Sequence, residues 1–473
     1  MKNILTKIGI ISLIVMAIYS TVSAQESTTL QFMKGMPQSD LQNPALHNDS
    51  SSVVIGLPGM SGVYFDFNSG FAVNDLIHKG TGMLADSLVL DIEGFHSSLS
   101  TTNSIQQNLS FPLFYLGFRS KKSFFSIGVT EKEVAQFTFD KSLVTFLKDG
   151  NAEYMGQNFD LGNLKMNAFD YTEMAFGYSN EVIKNKLTVG VKAKALLGKF
   201  ALKTERMNMK VETAADGSSL NLSTDIKINM SMPATPEYDQ DNNLTGMNTD
   251  NLNPKDFVMQ TGNMGMAFDL GAVYKLTPKI TLSGSIVDLG KVSFKKDLIS
   301  LNKVSNYNWV GIDFSNSIDS TNANYVDPAD LIKNETTKME NAFRPKKSDV
   351  GSEVFDVTIP TKIYLGGTYQ LNNQFSIGLL DRLYKNGDIS TNTVTLSANA
   401  MLANFLSLTG SYSMIGKSTN NLGMGLAMRL GLMQMYFVSD NLMALADPAK
   451  ANYVNVRFGM NLLFGRKHKP VSE

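Results

Sequence analysis

Four histidines, His47, His78, His96 and His468, are the only imidazoles in the chain, and serine-hydrolase chemistry needs one held between a serine and an acid. None of the four lies on a well-patterned strand beside such partners, so they read as plug, loop and tail residues and no enzyme is expected. Gly416-Lys417-Ser418 ends like a phosphate-binding loop, but Gly410 stands one residue too far upstream for the G-x-x-x-x-G-K-S spacing. It reads as a turn. Asp239-x-Asp241-x-Asn243, followed by Asp250, partly imitates a calcium loop. Leu244 fills the place that needs glycine and the last acid is Asp, not Glu, which leaves a solvated acidic loop, with no metal and no cofactor expected.

A second set of charges is ordered by periodicity. Arg119, Lys192, Lys194, Lys362, Arg382, Arg429 and Arg457 alternate with apolar residues, as do Glu173 and Asp269. If the apolar stripes face lipid, these charges face a lumen, where a basic lining attracts an anionic head group or fatty carboxylate and arginine grips paired oxygens. The same cations could instead pair with carboxylates of a plug and of long loops, merely keeping the lumen filled. Both readings stay open. The 26 methionines could line an adaptable pocket, although Met264, Met266, Met424 and Met428 fall on the outward stripes.

Strands must position these charges. In Tyr453–Phe464, the residues Val454, Val456, Phe458, Met460, Leu462 and Phe464 oppose Asn455, Arg457, Gly459 and Asn461, because side chains alternate faces with a period of two. The same alternation recurs around Leu116, Ile127, Phe176, Val191, Ile228, Phe268, Leu282, Leu365, Ile377, Leu396, Leu408 and Leu426. Short connections such as 120–122, 180–186, 276–278 and 372–373 alternate with long ones near 135–168, 231–262 and 295–357, and with 440–450. That rhythm, an apolar face turned out and a polar face turned in, is that of a transmembrane barrel. The expected fold is all-β, a transmembrane antiparallel β-barrel of about 14 strands, or 16 if Lys203–Glu212 crosses rather than rising above the membrane. Within the long loops, Asp140 is placed to cap a helix that Gly150 ends, and Asp327-Pro328 to start another.

Composition agrees. Charged residues are 18%, below the ~25% usual for soluble domains, and a net charge of -1 gives nucleic acid no basic surface to bind. Lack of cysteine removes disulfides, thiolate metal sites and a lipoprotein anchor. Residues 1–24 carry Lys2 and Lys7, an apolar run and Val22-Ser23-Ala24, the form of a secretory signal peptide removed after Ala24.

Several segments carry a resemblance: Gly35-Met36-Pro37-Gln38-Ser39, Asn43-Pro44-Ala45-Leu46, Ile55-Gly56-Leu57-Pro58, Ile286-Val287-Asp288-Leu289-Gly290 and Tyr436 to Asn441. Together they resemble an uncharacterised outer-membrane family, a domain of unknown function related to FadL-like long-chain fatty-acid transporters and to PorV-like components of type IX secretion. The resemblance implies a short N-terminal plug over 25–50, with Asn43, Pro44 and Ala45 inside a barrel of 51–465, before a polar tail of 466–473. It also implies passive uptake of a hydrophobic or amphipathic compound or, as the alternative, a non-transporting scaffold or shuttle for secretion or surface attachment. Arg457-x-Gly459-x-x-Leu462-x-Phe464 resembles the signal by which barrels are handed to their assembly machinery, although here the polar tail follows it. The expected location is the cell outer membrane. Expected partners are its lipid, the barrel assembly machinery, and a hydrophobic ligand or a secretion-system partner.

Overall fold

The computed structural model describes residues 27–47, 51–250, 260–318, 321, 324–402, 405–416 and 418–465. The expected leader with its cleavage after Ala24, Lys417, His468 and the tail 466–473 lie outside these.

Among the described residues nineteen strands form one antiparallel sheet. They are β1 (Val53–Gly56), β2 (Val63–Asn68), β3 (Thr102–Ser120), β4 (Ser123–Asp140), β5 (Asn158–Ile183), β6 (Leu187–Thr213), β7 (Leu220–Ser231), β8 (Met264–Lys275), β9 (Ile280–Phe294) and β10 (Leu298–Trp309). After them come β11 (Val350–Gly351), β12 (Phe355–Thr358), β13 (Thr361–Gln370), β14 (Phe375–Asn386), β15 (Ile389–Leu402), β16 (Leu406–Ile415), β17 (Ser418–Leu430), β18 (Met433–Ser439) and β19 (Tyr453–Phe464). The sheet closes where β19 pairs with β1 and β2, which both pair with β3.

The closed barrel has 14 wall positions, because several positions are built from pieces. Near the short turns β8 lies between β6 and β9 (Leu187↔Tyr274, Tyr274↔Leu282). Farther up, β7 takes its place beside β6 (Leu202↔Met230), and β10, continuing β9, pairs with β7 (Ile299↔Met230). The strands β11, β12 and β13 likewise stack into one descending position. Lys203–Glu212, the upper part of β6, therefore adds height and not another crossing.

Height is uneven. Strands β5 and β6 run for 26 and 27 residues, whereas β16 and β18 have 10 and 7. One side of the barrel is tall and the other short. The outer face carries exposed Phe118, Ile127, Phe176, Val191, Met266, Leu282, Leu365, Leu379, Leu396 and Phe458, while Ser126, Lys192, Lys194, Ser285, Thr395 and Arg457 are buried. In water this would be inside out, forgoing roughly 25 cal/mol for each Å² of apolar surface left exposed. In hydrocarbon it is the stable arrangement, since a closed barrel satisfies every backbone group of the wall. The alternating run Leu187–Leu197 of β6, apolar on its outward face, fits the ~9–11 residues of a tilted spanning strand. Among the described residues no helix is long and apolar enough to cross a membrane.

Local chemistry fixes the turns and caps. Lys121, Asn185 and Gly431 adopt positive φ (54°, 58° and 63°) in short connections, as tight antiparallel turns require. Helix α1 (Lys141–Asp149) ends on Gly150 at φ 70°, but the Asp140 side chain makes no cap and instead accepts from Thr102 Oγ1 at 2.6 Å. Helix α2 (Pro328–Phe343) is capped as its sequence predicts, Asp327 accepting from the Ala329 amide at 2.8 Å.

Candidate functional site

Residues 27–46 lie inside the barrel without joining its sheet. Two short 3-10 turns, Thr28–Phe32 and Pro37–Leu41, shape the segment, Pro37 opening the second with its fixed φ. Ser27, Thr28, Thr29, Leu30, Gln42 and Asn43 are wholly buried. At one end the Asp440 carboxylate accepts from Ser27 Oγ (2.6 Å), the Thr28 amide (2.8 Å) and hydroxyl (3.2 Å), the Thr29 amide (3.1 Å) and the Thr29 hydroxyl. A buried carboxylate is tolerable only when so satisfied. Hydroxyls of the short wall assist, Thr395 meeting Thr28 at 2.8 Å and Ser411 meeting Thr29 at 2.6 Å. Leu30, Met33 and Met36 then pack on Ala427, Tyr436 and Val438.

The structure places Asn43, Pro44 and Ala45 in the lumen against β6, β8 and β9. Asn43 Nδ2 donates to the carbonyls of Ala272 (3.3 Å) and Gly284 (3.2 Å), and its Oδ1 accepts from the Ala45 amide at 2.9 Å. The wall is notched to admit them. A Cβ on Gly190 would collide with the Pro44 carbonyl, and one on Gly271 with the Asn43 side chain. Gly378 and Gly425 leave room in the same way for Phe32 and Met33.

Above this segment lies a cluster of charge. Lys192 Nζ stands 3.1 Å from Asp40 Oδ2, which also accepts from the Tyr115 hydroxyl at 3.0 Å. Lys194 pairs with Asp269 (2.8 Å), Glu173 (3.6 Å) and Asp288; Lys362 pairs with Asp288 at 2.8 Å; Lys132 pairs with Glu173 (2.7 Å) and Asp288 (3.7 Å). Asp288, the hub, sits at an irregularity within β9. At φ 61° it occupies a left-handed conformation that strains an ordinary side chain, beside the register shift at Phe268/Leu270. Its amide donates to Asp269 Oδ1 at 2.8 Å and its carbonyl accepts from Thr361 Oγ1 at 3.2 Å.

Of the cations singled out by periodicity, Lys192, Lys194, Lys362, Arg382 and Arg457 come into the lumen. Arg382 donates to Thr393 Oγ1 at 3.0 Å, and the Arg457 guanidinium lies 4.4 Å from the centre of the Tyr64 ring. Arg119 and Arg429 lie half-buried at the short-turn end, Arg429 Nε donating to the Gly431 carbonyl at 3.2 Å. Within β19 the expected assembly residues divide by face: Arg457 and Gly459 point inward, whereas Leu462 and Phe464 lie on the outward stripe. Sequence reasoning missed Lys132, Asp40, Tyr115, Asp288 and Asp440. Lys132 follows Ser126, Gly128 and Thr130 in the inward phase of β4, a signal masked by Glu131 and Glu133 on either side.

Farther up the tall wall the interior turns apolar. Val134, Phe169, Leu196, Val292, Phe294, Phe355 and Val357 form one buried cluster, with the rings of Phe294 and Phe355 stacked 5.3 Å apart. Along β6 the order is therefore Gly190 against the lumenal segment, Lys192 and Lys194 in the charge cluster, and Leu196 and Ala201 in the apolar layer. Two cavities beside Lys132 and Asp288 each hold about 30 Å³, room for about one water molecule. Of the other candidates, Asp239 spends its carboxylate on the amides of Asp241 (3.0 Å) and Asn243 (2.8 Å). His96 meets Thr145 Oγ1 at 2.9 Å, His78 stands 3.6 Å from Asp91, and His47 meets Ser179 Oγ at 3.0 Å while stacking on Phe124.

A sequence profile described as a family of unknown function (DUF5723) matches residues 44–440. No curated protein matches the sequence. Among solved structures, the toluene transporter TodX of Pseudomonas putida is 10% identical, covering 93% of this chain and 98% of that one with a TM-score of 0.37. The CymD monoaromatic hydrocarbon channel is 10% identical over 92% and 95%, with a TM-score of 0.40. A Pseudomonas aeruginosa FadL homologue is 10% identical over 90% and 92%, with a TM-score of 0.35. Nothing about this chain's ligand follows from likenesses so loose.

Proposed function

The chain belongs to the family of unknown function DUF5723, and from that premise and the lumen's geometry we propose an outer-membrane barrel for passive uptake of a hydrophobic or amphipathic small molecule, seen closed. The short turns face the periplasm and the long loops the exterior, as in barrels of this build. One observation carries the reading: residues 27–46 fill the bore yet contribute no strand to the sheet. Side-chain hydrogen bonds, typically worth ~1 kcal/mol each, hold most of the segment, so it can leave while the ladder around it stays intact. The sequence has no energy-coupling motif, which fits passive passage. Removing 27–46, or substituting Gly271→Val to unseat Asn43, should turn a sealed barrel into one that conducts in a planar bilayer and admits a fluorescent fatty acid. A deletion variant that stays sealed would sink the uptake reading.

A scaffold or shuttle is the second reading, favoured by the wall above the apolar belt. The hairpin of Ile77–Lys79 and Leu88–Leu90 leaves Met83, Leu84, Leu88 and Leu90 exposed, and α2 exposes Ile332 and Met339. Loss of a captured partner on deleting 327–343, with uptake unchanged, would favour this reading. Arg457→Gln should then leave the barrel's behaviour as it was.

A further inference from the structure

The lysines of the lumen differ in where their counter-charge comes from. Lys194, Lys132 and Lys362 face Glu173, Asp269 and Asp288, which are fixed in the wall. Lys192, itself buried on β6, reaches Asp40 of the segment that plugs the bore. Withdrawing the plug therefore removes the carboxylate in contact with Lys192. A buried charge stripped of its partner is far less favourable than the intact pair, so the plug is held by charge compensation as much as by fit.

Asp40 also looks like a stand-in. Its Oδ2 takes both the Lys192 ammonium and the Tyr115 hydroxyl, while Oδ1 is buried and has no hydrogen-bond partner among the described residues. Beside it lies the cavity lined by Gln38, Leu41, Tyr115, Lys132 and Arg457. We propose that Asp40 occupies a carboxylate site of the open barrel: the plug leaves when a compound bearing one anionic oxygen group takes its place on Lys192 and Tyr115, an exchange of one carboxylate for another. The proposal rests on the passive-uptake reading and deepens it, making Lys192 and Tyr115 the residues that select charge.

The test uses the full-length barrel in detergent, titrated with 11-(dansylamino)undecanoic acid and with the matching dansyl alcohol. Wild type should prefer the acid. Asp40→Asn removes the competing negative charge from the cradle and weakens the plug's hold on Lys192, so the acid should bind about tenfold tighter while the alcohol stays within about twofold. The Asp40→Asn, Lys192→Gln double variant, neutral at both positions, should lose the acid's advantage. Should Asp40→Asn alone fail to insert, the double variant against wild type still decides, since acid and alcohol must then bind it alike. Equal tightening of both probes by Asp40→Asn would mean simple loosening of the plug and would overturn the exchange. Unchanged binding by every point variant, with both probes entering a barrel lacking 27–46, also overturns the exchange but leaves uptake standing. A barrel lacking 27–46 that binds neither probe removes both.

Discussion

The two sides of this barrel solve the problem of a filled interior in opposite ways. The short side, β14 to β19, lines the lumen with Thr393, Thr395, Ser397, Ser411, Ser413, Asn421, Ser439, Asn455 and Asn461, all buried. The tall side lines it with lysines and acids and then with Phe169, Leu196, Phe294 and Phe355. Hydroxyls and amides hydrogen-bond almost as well to water or to a ligand as to a plug, so their partner can be exchanged at modest cost. An apolar layer has no such substitute. The contrast says where the molecule can change state: at the plug's polar contacts, with the hydroxyls of the short wall and with Lys192 and Tyr115 on the tall side, while the apolar upper layer of the tall wall is the frame.

The sharpest way to break that contrast is at its hub. Asp288→Ala strips the shared acid from Lys132, Lys194 and Lys362, and removing one partner of a buried pair costs about 3–5 kcal/mol. The expected outcome is loss of heat-resistant barrel on semi-native gels. Asp440→Asn should act on the other side and more gently. Losing the charge from the Ser27–Thr29 clasp costs about 1.5–3 kcal/mol, so hydrogen exchange should quicken in residues 27–33 while Val292 to Phe294 stay protected. Equal loosening of both regions would contradict the division. Asp327→Ala should cost about 0.5–2 kcal/mol, confined to α2 and read by proteolysis within 328–343.

The smallest effect is one of pH. Tyr307 of β10 donates to Glu335 of α2; partial burial, together with that carboxylate, pushes the phenol up to about 12. Stabilisation from a raised phenol is fully present below its unfolded value of about 10 and fades as pH climbs from there through about 12. Glu335 is held low by the same hydrogen bond and by Lys338, so its share appears above the ordinary glutamate range and is lost on acidification. Emission of the single tryptophan, Trp309, should therefore sit on a plateau between those limits. A profile flat to pH 12 would remove the Tyr307 clasp from the account.

Much of the wall was legible because lipid imposes a strict alternation, which survives in Met264 to Leu270 or Phe375 to Leu379 as plainly as in Tyr453–Phe464. What escaped was whatever depends on a break in that alternation. The positive φ of Asp288 leaves no mark in composition, and although its segment carried a family likeness, the likeness gave it no role. Asp140 has the right residue type for a cap, yet the Thr102 hydroxyl across the hairpin competed successfully for its carboxylate. The stacking of β7 on β8 and of β10 on β9 was invisible for another reason: short charged strands acquire their neighbours from the curvature of a closed sheet, not from their own pattern.

That stacking also governs how the exterior can vary. The chain leaves the wall after Ser231 and re-enters at Met264 in the same column, between the same neighbours. Anything spliced between those two residues changes neither strand parity nor circumference. The column thus works as a cassette slot, into which a sequence of almost any length can be grafted for display while the pore beneath keeps its bore.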